Sequence, residues 1–243
     1  MLTFNASSPE RPDHPERTCP AALPKRPDRT NRPRRQNGGF TLLESALALV
    51  IVGVGIVALI EAHTNLSRAN SWSTQSATAS YLAGEIRERL RKLPRHDPVT
   101  GLFIDSTNTL IGWSIEGGAG VPLADYNDVD DYNGVTFGAG GLFPGPIDAQ
   151  GNIITAVDDS GVVITIAGVA QPMAGWSQQI TVEKVEPTNF ATARAPAYFR
   201  TASGVTPGIT VDAFPLRITV VVWFQGISDL NPLEMARLTW ITP

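Results

Sequence analysis

The strongest constraint on this chain is a run of 21 residues, Phe40 to Ile60, whose only charge is Glu44. An α-helix of about 20 apolar residues is what a bilayer core of about 30 Å requires. A carboxylate inside such a helix costs roughly 2.5–3.5 kcal/mol on insertion scales, so Glu44 calls for a cation partner. A conventional secretory signal fits poorly. No small-x-small site closes the run, and its length exceeds the usual apolar region of a signal peptide.

The segment Gly38-Gly39-Phe40-Thr41-Leu42-Leu43-Glu44 resembles the processing site of type IV prepilins and type II secretion pseudopilins. The resemblance implies a membrane prepilin peptidase that cuts between Gly39 and Phe40 and methylates the new amino terminus on Phe40. It also implies partners: other major and minor pilin subunits and an inner-membrane assembly platform. Glu44 would be the fifth residue of the mature chain. The electrostatics support that placement. Cleavage creates an α-amine that is mostly protonated near neutral pH. When two such helices stagger, the ammonium of one subunit sits against the Glu44 carboxylate of its neighbour, and the pair offsets part of each charge's desolvation. Glu44 then sets the register of assembly and is not a catalytic acid.

Charge distribution agrees with export. Residues 1–39 carry 8 Lys and Arg against 4 Asp and Glu, whereas residues 40–243 carry 11 against 19. Positive charge before the span holds that end in the cytoplasm. The expected location is the bacterial inner membrane, as a single-pass precursor with its C-terminal part outside the cytoplasm, and then a pilus or pseudopilus. The acidic exported part argues against a nucleic-acid surface. Cys19, the one cysteine, lies in the leader, so the outer part has to be stabilised by a packed core and not by disulfides.

The expected organisation has four parts: a removed leader (1–39), a transmembrane half-helix (40–60), an amphipathic half-helix (61–93) and a β-rich head (94–243). Ala62, Leu66, Ala69, Trp72, Ala79, Ala83, Ile86, Leu90 and Leu93 recur in steps of three and four, with Ser76 filling the stripe. Such spacing predicts an amphipathic helix that Pro94 stops. Glu85–Arg89 and Glu88–Lys92 stand at i,i+4, as on a solvated face. Beyond Pro94, short β-prone runs appear at Leu102–Ile104, Leu110–Ile115, Ile153–Val157, Val162–Ile166, Ile180–Val185, Leu216–Phe224 and Met235–Ile241. Asp158–Gly161 reads as the turn of a hairpin. Leu216, Ile218, Val220, Val222 and Phe224 should form the buried face of the strongest strand. The fold class is therefore α+β. The family resemblance sharpens this to a pilin fold: a long N-terminal helical spine packed on a C-terminal antiparallel sheet.

Asp125, Asp128, Asp130 and Asp131 fall within seven residues. Carboxylate and carbonyl oxygens at this density suit Ca²⁺, although the spacing departs from the EF-hand loop; a solvated Asx-rich turn before a strand is the alternative. The string Asn127-Asp128-Val129-Asp130-Asp131-Tyr132-Asn133-Gly134 also looks like one in minor pilins of the mannose-sensitive haemagglutinin (MSHA) type. Residues 40–243 have two histidines, His63 and His96, and no HExxH, GxSxG, P-loop or dinucleotide pattern. The expectation is a non-enzymatic minor pilin. A minor pseudopilin of a secretion system is the alternative, and a membrane-tethered head that never polymerises is the reading from a different class.

Overall fold

The computed structural model describes residues 41–115 and 120–243. Residues 1–40, which include the expected leader and the expected cleavage pair Gly39 and Phe40, lie outside the described residues. The chain divides into two compact units, the first ending at Gly55 and the second covering Ile56–Pro243.

One continuous helix, α1, runs Leu42–Leu90. Thr41 caps it: its Oγ1 accepts from the Glu44 amide at 3.2 Å, and the Ser45 amide donates to the Thr41 carbonyl. Thr41-x-x-Glu44 is thus a helix-start signature, with the acid in the first turn where the helix dipole favours negative charge. Among the described residues of the first unit the apolar side chains are exposed, Leu42 at 89%. The most apolar 18 residues of α1 have a mean hydropathy of 2.5 and none is buried. Length and composition suit a single-pass anchor.

In the second unit α1 contributes Ala79, Leu82, Ala83, Ile86 and Leu90 to the core. The earlier part of the expected stripe is uncovered: Leu66 is 69% and Trp72 52% exposed. Spacing reports which face of a helix is apolar, and burial additionally needs an opposing surface. The helix also ends three residues before the expected Leu93. Lys92 and Leu93 donate to the carbonyls of Arg89 and Leu90, tightening the last turn into 3-10 geometry ahead of Pro94.

The main sheet is antiparallel and has five strands: β3 (Thr136–Gly138), β6 (Trp176–Glu186), β7 (Asn189–Arg194), β8 (Leu216–Phe224) and β9 (Leu233–Thr242). Their order is β3-β6-β8-β9, with β7 also pairing to β6. Strand β8 has the expected bounds, and its face Leu216, Ile218, Val220 and Val222 is fully buried against the α1 cluster. Strand β6 starts four residues before the expected Ile180, because Trp176–Gln179 continue the ladder with Val221–Phe224. Gln178 is buried but satisfied: its amide donates to the carbonyls of Leu82 and Ile147 and accepts from the Ile147 amide. Strand β7 was not expected.

Two small hairpins complete the described strands. β1 (Phe103–Ile104) pairs with β2 (Leu110–Ile111), and β4 (Thr165–Ile166) pairs with β5 (Val169–Ala170). The expected turn at Asp158 forms, with Val157 opposite Val163 and the Asp158 carboxylate accepting from the amides of Ser160 and Val162. Its flanks stay outside the main sheet.

Candidate functional site

The chemistry concentrates at two places, the start of α1 and the acidic loop. At the first, Glu44 is exposed in the opening turn of α1, two residues into the helix that Thr41 caps. The proposed cleavage and methylation positions, Gly39 and Phe40, precede it outside the described residues.

The acidic loop is buried, which corrects the expectation of a solvated turn. Asp128, Asp130 and Asp131 are 1%, 0% and 1% exposed, and only Asp125 remains on the surface. The reason lies between the acids. Tyr126, Val129, Tyr132 and Val135 recur every third residue and all enter the core. The 3-10 turn Asp130–Tyr132 carries them inward and takes its acids along.

Backbone amides compensate part of that burial. The Asp131 carboxylate accepts from the amides of Asn127 (2.8 Å) and Asp128 (3.3 Å). Asp128 accepts from the Asp131 amide at 3.1 Å, which makes the pair reciprocal, as in a capping box. The Val129 amide donates to the Pro94 carbonyl just past α1, and the Gly134 amide to the Ile180 carbonyl on β6. Asn133 Oδ1 accepts from the Val182 amide. The loop thus ties the end of α1 to the central strand.

His96 and Lys184 lie beside it. His96 Nδ1 lies 3.1 Å from Asp130 Oδ2. Burial, reinforced by Arg95, pulls the His96 pKa down to about 4, against the opposing pull of Asp128 and Asp212. The lowered pKa favours a neutral imidazole near pH 7, with Nδ1 within hydrogen-bond distance of the Asp130 carboxyl. Lys184 on β6 is buried, 5.8 Å from the Trp113 ring centre and 5.6 Å from that of Phe214. Its ammonium donates to the Pro196 carbonyl. Burial lowers its pKa to about 8, while Asp130 and Asp212 raise it.

One carboxylate oxygen each from Asp128, Asp130 and Asp131 lies within 4.8 Å of the others, a spacing that one Ca²⁺ with ligands at 2.3–2.6 Å spans. Asp125, the fourth expected ligand, is not part of this group.

The helix charges also differ from expectation. Glu85 accepts from the Ala149 amide at 2.7 Å, so it does not pair with Arg89. Arg89 donates to the Tyr132 hydroxyl at 2.6 Å and to the Gln150 carbonyl at 3.0 Å. Glu88 pairs with Arg91, not Lys92. The i,i+4 pattern had no means of showing that the loop Asp148–Gly151 would compete for these groups.

No family model, curated protein or solved structure matches this chain.

Proposed function

We propose that this chain is a minor type IV pilin of the MSHA-like class. It is stored in the inner membrane, processed by prepilin peptidase between Gly39 and Phe40, and assembled through its N-terminal helix. The observation that supports this most is the character of α1. One unbroken helix begins with an apolar stretch bearing Glu44 in its first turn, and continues to residues that form the core with an antiparallel sheet. A simple anchor needs only the first part, and a soluble head needs only the second.

In this reading Glu44 pairs with the α-amine of a neighbouring subunit, and the other pilins and the assembly platform are its partners. The acidic loop acts within the subunit, joining the end of α1 to β6. Intact-mass and N-terminal peptide mass spectrometry of the chain from its native membrane tests the proposal. The expected product begins at Phe40 and carries one extra methyl group. A chain that retains residues 1–39, or is cut elsewhere, would remove it from this class.

A further inference from the structure

Residues 153–172 form an arm beside the main sheet. Its three segments pair with one another: Ala156 donates to the Gln171 carbonyl, Ile164 to that of Ala156, and Gln171 to that of Ile164. Closure of this kind satisfies the backbone internally, so the arm does not act as an open strand edge. Its side chains are another matter. Val157, Val162, Val163, Ile164, Ile166 and Val169 are 42–64% exposed and nearly contiguous in sequence. Six exposed Val and Ile side chains gathered on one short arm mark a candidate interaction surface.

Charge restricts what can cover it. No Lys or Arg occurs between Arg95 and Lys184, whereas eleven Asp and Glu do. Asp158 and Asp159 form the exposed tip of the arm. A partner surface therefore has to be apolar with a cationic rim.

The chain itself carries such a surface. The last turn of α1 and the end of β9 enclose a groove of about 300 Å³ floored by Leu90, Leu93 and Trp240. Arg87 and Arg91 line its side. The existing Arg91–Glu88 pair has both side chains more than half exposed, so exchanging that partner costs little.

We infer that the arm of one copy docks in the α1–β9 groove of a second copy. Its Val and Ile side chains cover Leu93 and Trp240, and its Asp158 and Asp159 face Arg87 and Arg91. The two surfaces differ, so the contact is head-to-tail and extends from copy to copy unless rotation closes it. It is independent of Glu44 and of N-terminal processing.

The test uses the full chain in detergent micelles with Cys19→Ser, which removes the native thiol. Chains bearing Val162→Cys are mixed with chains bearing Thr242→Cys and mildly oxidised. The mixed disulfide should exceed either self-pair. Asp158→Lys with Asp159→Lys on the arm should reduce it about tenfold, and Arg87→Glu with Arg91→Glu on the groove chain should restore it. Self-pairs as frequent as the mixed pair, or a charge exchange that fails to restore cross-linking, would overturn the inference.

Discussion

Several single residues carry more of this fold than their types suggest. Asp131 holds two backbone amides from a position 1% exposed to solvent. Asp131→Ala should destabilise the head by roughly 2–4 kcal/mol in urea unfolding, because both donors lose a charged acceptor; a loss below about 0.5 kcal/mol would reduce the loop to an incidental turn. Gly151 is a different case. Its φ is +87°, and a Cβ there would lie 2.7 Å from an Arg89 guanidinium nitrogen. Gly151→Ala should cost about 1–2 kcal/mol, from left-handed strain plus displacement of Arg89 from Tyr132. Thermal melting of Gly151→Ala beside Arg89→Met separates the two contributions. His96 adds a pH dependence. Its folded pKa lies below its unfolded value, so the unfolded chain binds the extra proton. Stability is therefore lost as pH falls from about 6.5 towards about 4. Denaturant midpoints across that window should fall for the parent and fall less for His96→Gln.

Among the elements, legibility follows how much each one depends on its own residues. Strand β8 was readable because its alternate side chains are large, apolar and buried by the same face that α1 covers. Strand β7 was not, since Asn189–Arg194 offers only Phe190 as a large apolar residue and leaves it 48% exposed. Pairing with β6 holds it in place, together with Arg194 and Arg200, which both bridge the Glu186 carboxylate. In the acidic loop, charge density suggested either Ca²⁺ or a solvated turn and hid the three-residue period of Tyr126, Val129, Tyr132 and Val135, which buries it. That period was the available signal. The same loop separates a structural role from a metal-binding one. Its amide bonds need no cation, so the head should stay folded in EDTA. Ca²⁺ should then raise the melting temperature through the three clustered carboxylates, and Asp130→Asn should abolish the rise. A flat Ca²⁺ titration would assign the loop to capping alone.

For the whole molecule, the question is why one helix serves two environments. The stretch from Leu42 is long and apolar enough to cross a membrane, whereas Ala79, Leu82, Ala83, Ile86 and Leu90 are buried in a core shared with the sheet of their own chain. The stretch between them, including Leu66 and Trp72, has an apolar stripe that nothing in the second unit covers. A soluble monomer would gain by replacing those residues with polar ones, so their presence fits a helix that meets other helices. Glu44 gives that idea a measurable consequence. If its carboxylate pairs with a neighbour's α-amine, Glu44→Ala removes an assembly contact without touching the core, since the side chain is exposed. The variant should accumulate normally in the membrane and melt with the parent, yet be depleted at least about tenfold from sheared fibres, the scale of one desolvated charge pair. Glu44→Gln, which keeps the shape and loses the charge, should behave like Glu44→Ala. Undiminished recovery of Glu44→Gln would mean that shape, and not charge, sets the register, and the reading of Glu44 as half of an ion pair would fail.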